Sequence, residues 1–322
     1  MSWGAWAEEP LDAHWHEGSP NCGKRPGPVL EVHHYDPRTL ILREGLCSSS
    51  AAPFMYLLMG EQRAILIDSG DLSDARQLNL VAAVQALLPD SPELGGKKPR
   101  LLVVHTHAHH DHRAGDEQLR HLPGTEVVGT SLESVKSYYK FLNWPDGIGH
   151  IDLGQRALDV IPTPGHEATG VSFYDRGSAL VFSGDFLLPG RIRVEDTDAY
   201  RDSVARLKSW LGNRPVTAFL GGHIEMDSHG QLFAPGSTYH PGERALPMTP
   251  NDLDALSGAL AHFNGFYTVS GGFTVLNALH LTVLMVLAAL IPLGAGLHVL
   301  RKRLLARKAA PLHPAQNASK AA

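Results

Sequence analysis

The stretch LLVVHTHAHHDH, residues 101–112, constrains the fold more than any other part of the chain. Its first four residues are apolar and predict a buried β-strand. Histidines and one aspartate follow at once, where a rigid strand end presents side chains to a loop. Alternate residues of an extended chain point the same way, so His107 and His109 can bind one metal ion together. Asp111 and His112 can reach a second ion as the chain turns into a helix.

The rest of the chain alternates short apolar runs with amphipathic stretches, which predicts an α/β fold and is compatible with two sheets between helix layers. Strands are predicted at Val29–Val32, Leu40–Leu42, Phe54–Leu58, Ala64–Ile67, Leu101–Val104, Glu126–Val128, Ala157–Ile161, Val171–Tyr174, Ala179–Phe182 and Val216–Leu220. Helices are predicted from a cap at Ser73 through Leu88, and at Ser131–Leu142, Asp198–Leu211 and Asn251–Phe263. Residues 1–28 show no periodicity and are predicted to be irregular.

Composition excludes some classes of protein. The chain has 322 residues, of which 43% are hydrophobic, and this is enough for one large core. The net charge is −5, and no Lys/Arg stripe with interleaved aromatics is present, so no nucleic-acid partner is predicted. Cys22 and Cys47 lie in no CxxC motif. They are either a free buried pair or one disulfide, which would require an oxidising compartment.

A C-terminal apolar stretch predicts a membrane anchor. Residues 279–300 read LHLTVLMVLAALIPLGAGLHVL and contain no Asp, Glu, Lys or Arg, and about 20 such residues cross a bilayer. We therefore predict a transmembrane helix over residues 273–300 and a basic tail over 301–322. The positive-inside tendency places that tail in the cytoplasm and the catalytic domain on the periplasmic or outer side. No signal-peptide apolar region precedes the domain, which leaves the opposite orientation open.

The motif HxHxDH at residues 107–112 resembles the signature of the metallo-β-lactamase superfamily. Four further motifs resemble those of the family, in the expected order and each at a predicted strand end. They are ILIDSG at 65–70, TPGH at 163–166, FSGD at 182–185 and LGGH at 220–223. The resemblance implies an αββα four-layer sandwich over residues 29–264.

The resemblance also implies a site with two zinc ions, or with iron or manganese. Asp111 would be the catalytic residue that orients the nucleophile and moves its proton, and Asp68 would support the metal loop from behind. The implied ligands are His107, His109 and His166 for the first ion, Asp111, His112 and His223 for the second, and Asp185 for both.

The ligand set contains no cysteine and resembles glyoxalase II-like and lactonase-like members more than zinc β-lactamases. We therefore predict a membrane-anchored hydrolase of a small-molecule ester, thioester, lactone or amide. One alternative is a mononuclear iron oxidoreductase similar to sulfur dioxygenases. Another is a non-catalytic binding protein on the same fold. Metal content would distinguish the first two hypotheses.

Substrate contacts are predicted next to the ligand motifs. Arg191 and Arg193, a few residues after Asp185, could bind a carboxylate or phosphate of the substrate. Tyr138 is a third candidate, and residues 224–250 are predicted to form an extra loop over the site. Further pocket candidates are Tyr139, Lys140 and Glu167. The sequence does not predict the oligomeric state.

Overall fold

The computed structural model describes residues 10–90 and 94–309. Within them, the strands are β1 Leu30–Asp36, β2 Thr39–Glu44, β3 Phe54–Met59, β4 Arg63–Ile67, β5 Arg100–Val104, β6 Thr125–Val127, β7 Gly149–Asp152, β8 Ala157–Pro162, β9 Val171–Asp175, β10 Leu180–Gly184, β11 Arg191–Arg193, β12 Ala218–Gly221, β13 Pro247–Met248, β14 Tyr267–Ser270 and β15 Phe273–Leu276. The helices are α1 Leu80–Leu87, α2 Asp116–Arg120, α3 Leu132–Tyr139, α4 Thr197–Leu211, α5 Pro250–Ala261 and α6 Ala278–Ala309. Residues up to Asn277 form one compact unit, and those from Ala278 form a second.

The strands form two sheets of six and one of three. The first sheet has the order β1-β2-β3-β4-β5-β6, and the second has the order β13-β12-β10-β9-β8-β7. In the first sheet β4, β5 and β6 run parallel, whereas β1 to β4 alternate in direction. In the second sheet β10 and β12 run parallel, and β8 has the same direction because both it and β10 are antiparallel to β9. The third sheet has the order β11-β15-β14.

The two large sheets pack face to face between helices. One apolar cluster joins residues of the first sheet, such as Ile65, to residues of the second, such as Phe173 and Phe182. The outer face of the first sheet packs on α1 and α2 through Leu80 and Leu119. A third cluster packs the outer face of the second sheet on α4 and α5. The order of layers is αββα, as predicted, since each sheet buries both of its faces.

The predicted motifs follow the carboxyl ends of strands that share a direction. Asp68 follows β4, and residues 105–112 follow β5, its parallel neighbour. His166, Asp185 and His223 follow β8, β10 and β12, which also share one direction. The carboxyl ends of parallel strands meet at one edge of a sheet. This topology therefore brings residues more than 100 positions apart in sequence to the same place.

The first helix begins later than predicted. Ser73 is not its cap, because Asp74 Oδ1 accepts a hydrogen bond from the backbone N–H of Arg76 and forms a local turn. The helix begins at Leu80, where Asn79 Oδ1 accepts from the N–H of Ala82 at 2.9 Å.

Two regions in which the sequence predicts no strand form strands that pair with each other. Arg191 and Arg193, the predicted substrate contacts, lie in β11, which pairs in parallel register with β15. Phe273 was predicted to begin the membrane helix. It is instead the first residue of β15, and Phe273 and Val275 are fully buried. An apolar strand directly before an apolar helix gives no change of composition at the boundary. The first unit consequently continues to Asn277, beyond the predicted limit at residue 264.

The second unit is built on one long apolar helix. The span Ala278–Lys302 has a mean hydropathy of 2.3, and none of its most apolar window is buried. The helix continues to Ala309, so the basic residues from Arg301 onward, predicted as a separate tail, begin within it. Residues 310–322 of that tail lie outside the described residues, as do residues 1–9 of the predicted irregular segment.

A disulfide joins the N-terminal segment to the loop after β2, and an ion pair joins the loop between β12 and β13 to β2. Described residues 10–28 contain no helix and no named strand, as predicted. Of the two states considered for the cysteines, the structure has the disulfide, between Cys22 and Cys47. Arg43, at the end of β2, donates to both carboxylate oxygens of Glu243 at 2.6 Å, and both side chains are buried. This buried ion pair anchors the predicted extra loop.

Candidate metal centre

Three imidazole nitrogens converge on one point at the edge of the sandwich. Nε2 of His107 and Nε2 of His166 each lie 3.0 Å from Nδ1 of His109. All three atoms lie within 4.8 Å of one another. Three nitrogens at these separations fit the first coordination sphere of a divalent transition metal.

A second group of donors lies beside the first. Nε2 of His112 is 3.2 Å from Nε2 of His223, which is 3.4 Å from Oδ2 of Asp111. Two imidazoles and one carboxylate also form a common ligand set for such ions. His110, which lies between these ligands in the sequence, is 69% exposed and faces Asp71 instead.

Asp185 faces both groups. Its Oδ1 lies 3.5 Å from Nε2 of His112 and 3.4 Å from Nε2 of His223, while its Oδ2 lies 3.5 Å from Nε2 of His166. Oδ1 is buried and has no hydrogen-bond donor among the described residues. A buried carboxylate oxygen without a donor is costly, and a cation beside it would remove that cost. The donor set therefore fits two cations that share Asp185.

In four of these histidines, the ring nitrogen that points away from the other ligands has its own hydrogen-bond partner. Where such a partner accepts the outer N–H, the inner nitrogen keeps a lone pair for a cation. The pairs are His112 Nδ1 with Asp68 Oδ2 at 2.8 Å, His166 Nδ1 with the Arg193 carbonyl at 2.7 Å, His223 Nδ1 with the Ala51 carbonyl at 2.7 Å, and His107 Nδ1 with Thr106 Oγ1 at 3.1 Å. The inner nitrogen of His109 is instead Nδ1, and its Nε2 lies 3.6 Å from Glu195 Oε1.

Asp68 connects the first sheet to the metal loop. It is fully buried, and its Oδ1 accepts from the backbone N–H of Thr106 at 2.7 Å. Its Oδ2 accepts from Thr106 Oγ1 and pairs with His112 Nδ1, both at 2.8 Å. The carboxylate thus fixes the start of the loop and the orientation of one imidazole.

Glycine permits the close approach of two strand ends. A Cβ on Gly222 would lie 2.4 Å from Oδ1 of Asp185 and 2.7 Å from Cε1 of His112. Gly184 has φ +51°, and a Cβ there would lie 2.4 Å from Oγ1 of Thr106. These two positions need glycine because any side chain would push Asp185 away from the histidines.

The two donor groups differ electrostatically. Burial, together with the neighbouring imidazoles, holds the pKa of His107 well below its usual value, and burial also lowers the pKa of His166. Burial alone would lower the pKa of His223, but the Asp185 and Asp111 carboxylates raise it to about 9. Burial likewise opposes protonation of His112, but Asp68 and Asp185 raise its pKa well above the usual value. A cation must therefore displace protons from His112 and His223, whereas His107 and His166 already favour the neutral form.

The centre opens on one side. The side chains of His109 and Asp111 are 39% and 29% exposed, whereas the other five candidate ligands are at most 6% exposed. Solvent therefore reaches the centre most easily at these two residues. Of the seven side chains, Asp111 is the carboxylate that solvent reaches most easily.

The predicted substrate contacts have other partners. Arg191 donates to the carbonyl of Phe233 and pairs with Glu225, which Arg193 also contacts at 3.2 Å. The Arg193 backbone, rather than its side chain, meets the centre, through His166. The single Glu225 carboxylate thus pairs with both guanidinium groups, and the role of Arg191 and Arg193 as substrate contacts stays a prediction.

Tyr138 is half-buried and lies close to Arg63, the first residue of β4, and its role as a substrate contact stays a prediction. Of the further candidates, Tyr139 is buried in the core between the sheets. Glu167 accepts from the N–H and Oγ1 of Thr169 and so stabilises the turn that carries His166.

A single family model covers the whole motif set. The model described as the metallo-beta-lactamase superfamily matches residues 52–223, which contain every candidate ligand. The chain belongs to the metallo-beta-lactamase superfamily. The resemblance drawn from the sequence is thereby confirmed.

Relatives of this superfamily member include two kinds of hydrolase. It is 27% identical over 235 residues to the acyl-coenzyme A thioesterase MBLAC2 of Gallus gallus, a match that covers 62% of this chain and 82% of that protein. It is 28% identical over 166 residues to the hydroxyacylglutathione hydrolase of Cereibacter sphaeroides, covering 47% of this chain and 64% of that enzyme. The chain therefore spans less than two thirds of the bacterial relative. Both of these relatives are hydrolases by name.

Solved structures support the fold. The metallo-beta-lactamase from Erythrobacter litoralis aligns with a TM-score of 0.50 over 74% of this chain and 98% of its own, at 14% sequence identity. This likeness concerns the sandwich alone, since identity is too low to compare substrates.

Proposed function

We propose that the protein is a membrane-anchored hydrolase that uses two divalent cations, zinc in the first instance, to cleave thioesters. The observation that carries the proposal is Asp185, whose two buried oxygens face two separate groups of histidines. His107, His109 and His166 would hold the first cation, and Asp111, His112 and His223 the second. Two such cations, when bound, lower the pKa of a water molecule and polarise an acyl carbonyl.

The thioester is favoured over the other bonds considered from sequence because of the relatives. The names acyl-coenzyme A thioesterase and hydroxyacylglutathione hydrolase both describe removal of an acyl group from a thiol. Hydrolysis adds water to the acyl carbon, breaks the C–S bond and releases a carboxylic acid and a thiol. These relatives and the cysteine-free ligand set favour this substrate over a β-lactam.

Asp111 would act as the proton carrier of the reaction. It is the more accessible of the two carboxylates, and its Oδ2 already lies near Nε2 of His223. Burial opposes ionisation of Asp111, but His223 and His112 hold its pKa well below the usual range, so that it is a carboxylate at neutral pH. It would orient the attacking water, accept its proton and pass that proton to the leaving thiolate. Asp68 and Thr106 would keep the metal loop fixed during the reaction.

The proposal is tested with a set of matched substrates. The full-length protein, solubilised in detergent and loaded with zinc, is assayed with an acyl-CoA, an S-acyl glutathione, an oxygen ester of the same acyl group and a β-lactam. We expect both thioesters to be cleaved fastest, with activity lost on chelation and restored by zinc. Preference for the oxygen ester or the β-lactam, or cleavage that survives chelation, would contradict the proposal.

The anchor is proposed from α6. This helix is long and apolar enough over Ala278–Lys302 to cross a membrane, and none of its most apolar window is buried. Arg301 and Lys302 lie at the end of this span and Arg303 directly follows it, and by the positive-inside tendency the basic end lies in the cytoplasm. The Cys22–Cys47 disulfide supports a catalytic domain on the other, oxidising side.

Truncation tests the anchor. A chain that stops after Asn277 should appear in the soluble fraction, folded and active, since it keeps all of β15. A chain that stops after Gly272 loses Phe273 and Val275, both fully buried, and should fail to fold because each such deletion costs about 2–5 kcal/mol. Sedimentation of washed membranes and thermal unfolding are the measurements. If the chain ending at Asn277 stays with the membranes, α6 is not the anchor.

A further inference from the structure

The loop between β2 and β3 contacts His223, a candidate ligand of the second cation, through the ring nitrogen that points away from the other ligands. The carbonyl of Ala51 accepts from Nδ1 of His223 at 2.7 Å. The chain then enters β3 at Phe54, whose backbone N–H donates to the carbonyl of Gly222 at 2.9 Å. The position of residues 51–54 therefore sets both the backbone before His223 and the orientation of its ring.

The loop has little apolar surface with which to hold itself in place. Residues 48–52 read SSSAA, and Leu46 is its one large buried side chain. Ala52 has φ +42°, a left-handed conformation that costs a non-glycine residue about 1–2 kcal/mol. Besides its local turns, the loop has a hydrogen bond from the Gly45 N–H to the Val29 carbonyl at 2.9 Å and one from Ser49 Oγ to Asp71 Oδ2 at 2.7 Å. Other contacts must therefore contribute to fixing the loop.

The Cys22–Cys47 disulfide is such a contact. Cys47 lies four residues before Ala51, and the bond joins it to the N-terminal segment. That segment is itself held, because the N–H of Ser19 donates to the carbonyl of Thr238 at 2.8 Å and Thr238 Oγ1 donates back to the Ser19 carbonyl at 2.9 Å. The disulfide thus ties the loop to a second, independently anchored part of the domain.

We propose that this disulfide is a positioning element for the second cation. By restraining the loop, it keeps the Ala51 carbonyl on His223, and its reduction weakens the second cation position while leaving the first intact. The inference rests on the proposed metal centre. Reduction should not affect the first cation position, because the outer ring nitrogens of His107 and His166 contact Thr106 and the Arg193 carbonyl, which lie outside the loop.

The experiment compares oxidised and reduced full-length protein in detergent. A phosphine reductant breaks the S–S bond to give two thiols and is itself oxidised to the phosphine oxide, with oxygen from water. Zinc affinity at each position is then measured by competition with a chromophoric chelator. We expect the weaker step of zinc binding to lose about tenfold or more in affinity on reduction, with the tighter step unchanged, since partners behind a ligand typically contribute 10–100-fold.

Two variants serve as controls. Cys22→Ser/Cys47→Ser should bind zinc as the reduced protein does and should not respond to the phosphine, which separates loss of the bond from chelation by the reductant. Ser50→Ala changes an exposed residue of the same loop and should behave as the unaltered protein does. If the double variant does not fold, reduction of the folded native protein still decides the question.

Other outcomes would overturn the inference. Equal affinities in both redox states would show that the loop holds His223 without the disulfide. Equal weakening of both zinc positions would show a general loss of structure. Oxidised protein that binds no zinc would instead remove the proposed metal centre, and this inference with it.

Discussion

Asp185→Ala should lower the kcat/KM for thioester hydrolysis on the order of 1000-fold and reduce zinc binding at both positions. The reason is that one buried carboxylate faces both groups of histidines, with Oδ1 toward His112 and His223 and Oδ2 toward His166. Removing a group on which two parts of a site depend has a larger effect than removing a ligand of one part. The measurements are steady-state kinetics and zinc titration.

Asp185→Asn separates charge from shape. The amide is nearly isosteric with the carboxylate but carries no charge, so we expect it to lose most of the activity as well. In the zinc-free protein, Asp185 is the largest influence that raises the pKa of His223 to about 9. The substitution should therefore lower that pKa, which NMR titration of the imidazole can follow. Asp202→Asn, at an exposed position of α4, is the matched control. An Asp185→Asn variant with unchanged activity would contradict a shared carboxylate.

His109→Ala should abolish binding of the first zinc ion and reduce turnover by a similar factor, on the order of 1000-fold. His109 is 39% exposed, so its removal should cost little folding stability, and the zinc-free variant should unfold near the temperature of the zinc-free parent. The effect would then be attributable to the centre rather than to misfolding.

The neighbouring histidine provides the control for that variant. His110 is 69% exposed and belongs to neither group of converging nitrogens. His110→Ala should retain two zinc ions and activity within about twofold of the parent, since exposed substitutions away from a site change little. Equal losses in the two variants would show that the loop as a whole, rather than the His109 imidazole, is required.

The residues themselves predicted the metal loop, because His107 and His109 follow an apolar strand at a spacing that places both on one side of the chain. Asp185 and His223 would each be ordinary turn residues in isolation, and they were implied as ligands by the resemblance of their motifs to those of the family. The alternation of strands and helices predicted the α/β class, whereas the αββα order of layers was implied by the same resemblance.

The hydrogen-bond partners of the outer ring nitrogens of the histidines could not be predicted from the sequence. Two of them are the carbonyls of Ala51 and Arg193, and a backbone carbonyl leaves no trace in residue type. Arg193 was singled out for its side chain, whereas its backbone makes the contact with His166. Pairing between β11 and β15 joins strands that are far apart in the sequence, and strands of three and four residues are too short to show a period.

Hydrolysis by this protein should depend on two cations held by this set of histidines and carboxylates. To test this dependence, zinc per chain is measured in full-length protein, purified in detergent, alongside its thioesterase activity during stepwise chelation and reloading. We expect two zinc ions per chain, loss of activity as they are removed, and recovery when zinc is restored. Full activity in protein that contains no metal would contradict the proposed chemistry, and a single bound iron ion would favour the oxidoreductase alternative.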